Sequence, residues 1–131
     1  MTKKYQIFFL AGLLVLLTAC SSGKLLPVNN VTNAPVVANR AVTQDDVKTA
    51  IIRAGAKLGW QMLVTKPGLI TATLVLRTHT AIVEIPYDAK SYSIKYKDST
   101  NLKYDGNGIH PYYNNWIINL DQGIRVQLAS V

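Results

Sequence analysis

From Trp60 to Lys97 the chain alternates apolar and polar residues almost without a break. The alternation pauses only at short clusters of turn-forming residues. A side-chain period of two puts every second residue on one side of a strand. The pattern predicts four strands, Trp60–Thr65, Leu69–Arg77, Thr80–Tyr87 and Tyr92–Lys97, joined at Lys66-Pro67-Gly68, Thr78-His79 and Asp88–Ser91. With Thr78-His79 as a two-residue turn, Leu76 faces Ala81, Leu74 faces Val83 and Ala72 faces Ile85. That junction is the weakest in the register, because neither Thr nor His takes positive φ readily. The same face then collects Trp60, Met62, Val64, Ile70, Tyr87, Tyr92, Ile94 and Tyr96, which is what a sheet buried on one side requires.

The opposite face reads as solvated. It carries Gln61, Thr71, Thr73, Arg77, Glu84, Ser93, Lys95 and Lys97, interrupted by Leu63, Val75 and Ile82. Those three apolar residues are either scattered exposed side chains or a docking strip. In the second case, Leu63, Val75, Arg77, Ile82 and Lys95 form the candidate partner face.

Two helices flank the strands. Thr43 followed by Asp46 resembles a capping box with Asp in place of Glu, and Asp45 and Asp46 suit the positive end of the helix dipole. Val47, Ala50, Ile51, Ala54 and Leu58 recur at helical spacing, and Gly59 supplies a stop. Gly55 costs about 1 kcal/mol against alanine in a helix interior, so a close packing partner is expected there. Pro111, preceded by His110, suits the start of a second helix with Tyr113, Trp116, Ile117, Leu120 and Ile124 on one face. The expected fold is α+β in two layers, a four-stranded antiparallel meander with both helices on one face, in the order α-β-β-β-β-α.

The N-terminal region obeys different rules. Lys3 and Lys4 precede an unbroken apolar stretch from Ile7 to Leu17. Spanning a bilayer core of about 30 Å takes about 20 helical residues, more than this stretch provides, and it fits the apolar region of a cleaved signal. It closes on Leu17-Thr18-Ala19-Cys20, and Cys20 is the one cysteine of the chain. This order of residues resembles the lipobox of bacterial lipoproteins. The resemblance implies a signal peptide over residues 1–19 and acylation of Cys20. Ser21, where inner-membrane lipoproteins carry Asp, implies the outer membrane, with the domain facing the periplasm. Residues 20–41, rich in Ser, Asn, Thr and Gly and holding Pro27 and Pro35, read as the lipidated cysteine and a flexible tether. Val28 or Val36-Val37 offers an alternative there, an added edge strand. Residues 42–131 form the single domain.

Removal of residues 1–19 leaves 112 of the 131 residues and lowers the formal charge from +7 to +5. The remaining basic residues are scattered and form no phosphate-binding stripe, so nucleic acid is not an expected partner. An acylated Cys20 cannot form a disulfide, and packing alone must hold the domain.

No catalytic motif stands out. Only His79 and His110 are of the residue type that could act as acid or base at neutral pH, and no nucleophile elbow accompanies them. Two histidines do not make a zinc site by spacing. Asp105-x-Asn107 lacks the further oxygen ligands and closing Glu of a calcium loop. No metal and no cofactor are implied, and no enzyme is expected. The densest local feature is a polar-aromatic run from Tyr92 to Trp116. Within it, Tyr104, His110, Tyr112 and Asn114 are candidate contacts for an envelope glycan or lipid, peptidoglycan or lipopolysaccharide. The bland alternative is that these aromatics fill the core and the asparagines serve turns.

Trp60, His79-Thr80-Ala81, Tyr92-Ser93-Ile94-Lys95-Tyr96, Ser99, Asn101-Leu102, Tyr104, Ile109-His110 and Tyr113-Asn114-x-Trp116 resemble a widespread family of small, uncharacterised proteobacterial lipoproteins. The resemblance runs from Trp60 to Ile124 and includes the signal. It implies compartment rather than activity. The expected architecture is also broadly similar to the lipoprotein plug of the lipopolysaccharide translocon, a likeness of shape that carries no function. The expected role is a membrane-anchored module for an outer-membrane or periplasmic protein, with glycan or lipid binding as the alternative.

Cys20→Ala is expected to abolish incorporation of radiolabelled fatty acid in cells. Undiminished labelling of the variant would remove the anchor.

Overall fold

The computed structural model describes residues 23–131, so the signal and Cys20 lie outside the described residues. The elements in order are β1 (Leu26–Pro27), β2 (Val31–Pro35), α1 (Gln44–Lys57), β3 (Gln61–Lys66), β4 (Leu69–Leu76), β5 (His79–Pro86), β6 (Ser91–Thr100), β7 (Gly108–Ile109) and α2 (Pro111–Ala129). The fold is α+β, with a five-stranded antiparallel sheet in the order β2-β6-β5-β4-β3 and a two-stranded ribbon of β1 and β7. No helix among the described residues is long and apolar enough to cross a membrane.

The four-stranded expectation is corrected at the N-terminal side. The fifth strand, β2, comes from the expected tether, and neither Val28 nor Val36-Val37 forms it. Its burial pattern conceals why. Only Ala34 is buried, and Asn33 takes φ of 49° where the register slips between Val31 and Ala34. Side chains hold it instead of a hydrophobic stripe. The Asn33 N–H donates to Ser93 Oγ at 2.9 Å, and the Tyr96 N–H donates to Asn30 Oδ1 at 2.9 Å. Ser93, expected on the solvated face, is buried as a result. Strands therefore occur from Leu26 onward.

The apolar face of the sheet lies where alternation puts it. Trp60, Ile70, Ala72, Leu74, Ala81, Val83, Ile85, Tyr87, Tyr92 and Ile94 are buried together with Val47, Ala50, Ile51 and Ala54 of α1 and Tyr113, Ile117, Leu120 and Ile124 of α2. Leu102, Ile109 and Leu128 join this core from outside the expected set. Val64, Leu76 and Leu58 were expected on apolar faces and are exposed, because each sits at an element end or edge.

The β4–β5 register differs by two. Leu74 faces Ala81, Ala72 faces Val83 and Ile70 faces Ile85. The turn is Arg77-Thr78, and Arg77 supplies the positive φ of 55°. A shift of two residues changes partners but keeps every side chain on its face, which is why the core survives the misplacement. Farther along, β6 carries a bulge opposite Ile82-Val83 and continues to Thr100.

Both ends of α1 are as expected. Thr43 Oγ1 accepts from the Asp46 N–H, and Asp46 Oδ2 accepts from the Thr43 N–H. The Arg40 guanidinium, bonded to Asp46 at 3.1 Å, together with the Thr43 N–H, lowers that carboxyl to about 2. At the other end Gly59 has φ of 86°. Its N–H reaches Ala56 O, and the Trp60 N–H reaches Gly55 O, a Schellman closure. Gly55 earns its place by contact. A Cβ there would lie 2.2 Å from Met62 Sδ and 2.6 Å from Met62 Cε. Where α1 crosses α2, Gly123 lies beside Ala54 and Leu58.

Gly55→Ala is expected to displace the Met62 thioether, so that in urea unfolding the gain of about 1 kcal/mol from alanine's helix propensity is reduced or cancelled. In a Met62→Ala background the same change is expected to be neutral or stabilising, by up to about 1 kcal/mol. Equal effects in both backgrounds would show that Met62 is not the obstacle.

Candidate functional site

The candidate residues separate into three places. On the open sheet face, Leu63 and Val75 are 64% and 59% exposed, and Ile82 is half-buried. The register places Leu63, Thr71, Glu84 and Lys95 in one row and Gln61, Thr73, Ile82 and Asp98 in the next. Leu63 and Ile82 therefore stand in different rows, separated by threonines. Lys97 pairs with Glu84 at 3.1 Å across this face. Arg77 occupies the turn at its rim.

The polar-aromatic run divides further. Tyr104 stacks on Tyr96, with ring centroids 4.3 Å apart, and Tyr96 meets the edge of buried Tyr113 at 5.5 Å. Tyr113 is pressed wholly into the core, where burial raises its phenol well above the usual range and leaves its hydroxyl without a protein partner. Asn114 turns away from any ligand. Its Oδ1 accepts from the Asn29 N–H and its Nδ2 donates to Pro27 O, both at 2.9 Å. It clamps the N-terminal segment to α2.

His110 and Tyr112 occupy the third place. His110 is the N-cap of α2, and its Nδ1 accepts from the Tyr112 N–H at 3.2 Å. Its imidazole therefore carries its proton on Nε2 when neutral. The His79 ring approaches the same tyrosine from β5, with centroids 6.2 Å apart, and His79 Nδ1 lies 2.7 Å from Asn101 O. A carbonyl can only accept, so His79 holds its proton on Nδ1 and leaves Nε2 as an acceptor. Neither histidine bonds a carboxylate. No group of three or more His, Cys, Asp or Glu converges among the described residues.

Leu76, Arg77, His79, Tyr112 and Trp116 line a cleft of about 310 Å³ between the β4–β5 turn and the first two turns of α2. Leu76, His79 and Trp116 are its members that sequence patterning left out. Leu76 and Trp116 had been assigned to the core, and His79 to a turn. A shallower depression of about 470 Å³ opens at the other end of the sheet, beside Lys48, Lys66, Pro67, Gly68 and Tyr87. It holds none of the candidate residues, and Lys48 there is paired with Asp45. The cleft offers aromatic faces, the Arg77 guanidinium and the His79 Nε2 acceptor. That set can bind a flat or ring-shaped polar group.

Comparison with protein-family models, curated proteins and solved structures finds no match for the chain.

Asn114→Ala removes an acceptor and a donor from a partly buried clamp. It is expected to cost about 1–3 kcal/mol, two ordinary hydrogen bonds, in thermal or chemical unfolding. It is also expected to accelerate proteolysis between Gly23 and Val31. A variant with unchanged stability and unchanged cleavage would show that the ribbon is held by other contacts.

Proposed function

We propose that this chain is a lipoprotein of the outer membrane, anchored through acylated Cys20 with its domain facing the periplasm. It acts by binding an envelope protein and is not an enzyme. The observation that supports binding is the uneven cover of the sheet. Both helices pack on one face, while the other presents Leu63 and Val75 at 64% and 59% exposure, with Arg77 at the rim beyond Val75 and Lys95 three strands from Leu63 along the same row. Exposed aliphatic side chains on a face that also carries cations suit a protein surface with both apolar and acidic groups.

A second reading takes envelope glycan or lipid as the ligand. The cleft at His79, Tyr112 and Trp116 favours it, because amphipathic rings with a nearby guanidinium suit a sugar or a headgroup. Of the other candidate contacts, Tyr104 stacks on Tyr96, His110 caps α2 and Asn114 bonds Pro27 and Asn29, and none of the three lines this cleft.

A photo-crosslinking residue at position 63 or 75 is expected to trap one discrete protein in cells, and one at exposed Lys57 is not. Identical background at all three positions would overturn the protein reading. Retention of the purified chain on sacculi or lipopolysaccharide that is lost with Tyr112→Ala would establish the second. Retention indifferent to that change would dismiss it.

A further inference from the structure

We infer that the β1–β7 end of the domain rests on the lipid headgroups of the leaflet that holds Cys20, with Leu26, Tyr104 and Tyr112 entering the headgroup layer and Lys24, Arg77 and Lys103 facing its phosphates. The inference rests on the acylation of Cys20 proposed above.

The length of the leash is the first argument. A 20-residue tether would leave the domain free to face any direction. The structure shortens it, because Leu25 already packs on the fold, where a Cβ at Gly108 would lie 3.0 Å from Leu25 Cβ. Leu26 and Pro27 pair with Ile109 and Gly108, and Asn114 fixes Pro27. Four residues separate Cys20 from Leu25, and the five Cα–Cα steps reach at most about 18 Å. The far end of the sheet, at the Asp88–Ser91 turn, lies a further strand length away, about 26 Å for an eight-residue strand. An anchored chain thus holds the β1–β7 end at the bilayer.

The chemistry of that end is the second argument. Leu26, Tyr104 and Tyr112 are 37%, 43% and 53% exposed, and these two are the exposed tyrosines among the described residues. Tyrosine rings prefer the boundary between acyl chains and headgroups, where one end is apolar and the other wet. Lys24, Arg77 and Lys103 are all exposed beside them. Arg77 and Lys103 hold left-handed backbone, with φ of 55° and 54°, at the tips of their turns. Hydrogen bonds bring these turns together. Asn101 Nδ2 donates to Thr78 Oγ1, and the His110 N–H donates to Leu102 O. The acid of this loop, Asp105, is exposed and accepts from the Asn107 and Gly108 N–H groups of its own turn. Cations near an anionic leaflet strengthen attachment by a lipid chain.

The test uses the full acylated chain in vesicles of phosphatidylethanolamine and phosphatidylglycerol. Nitroxide labels are placed at Leu26→Cys, Tyr104→Cys or Lys90→Cys. The labels at 26 and 104 are expected to be relaxed chiefly by oxygen and shielded from an aqueous nickel chelate, with the reverse at 90. Flotation with the vesicles, lost in Cys20→Ser, reports the anchor separately. A chain that floats while all three labels are equally open to nickel overturns the orientation and leaves the anchor standing. A chain that does not float overturns both. Labels at 26 and 104 that become shielded only on addition of lipopolysaccharide or muropeptides overturn the inference in favour of a glycan site.

Discussion

Burial of one sheet face beneath two helices is the constraint on which the rest of this domain depends. No disulfide is available to it, so its stability rests on packing. Each large aliphatic side chain removed from water contributes about 1.5–3 kcal/mol. Ile70, Ile85 and Ile94 of the sheet and Ile51, Ile117, Leu120 and Ile124 of the helices are fully buried in a single cluster. The two helices approach closely because Ala54 and Gly123 meet at their crossing, and α1 reaches β3 because Gly55 makes room for Met62. Small residues at these positions let the layers approach closely.

The parts legible in the sequence are those that local periodicity controls. Alternation identified the buried face of β4 to β6, and cap chemistry identified both ends of α1. Pairing was less legible. The β4–β5 turn lies at Arg77-Thr78, where a long charged residue takes positive φ, and nothing in local turn preference marks it. The N-terminal strand was illegible for another reason. It buries only Ala34 and is held by bonds across 60 or more positions, the Asn33 N–H on Ser93 and the Tyr96 N–H on Asn30. Composition alone makes such a segment look like a linker.

The candidate site was legible as residue types and not as an arrangement. The aromatic and amide residues from Tyr92 to Trp116 read as one cluster in sequence. In space they serve four ends: Tyr92 donates to Asp121 in the core, Tyr104 stacks on Tyr96, Asn114 clamps β1, and Tyr112 lines a cleft with His79 and Trp116. The opposite tautomers of His79 and His110 follow from backbone partners that no motif announces.

The two margins of the main sheet are unlike each other. Along β2 the register slips, Asn33 kinks the chain, and Pro35 lacks an N–H. These features break the regular ladder that an incoming strand needs. Along β3, Gln61–Lys66 runs without proline and exposes Leu63 and Val64. A strand laid along this sheet would find a regular ladder at Gln61–Val64, up to the bulge before Lys66, and none of that length along β2.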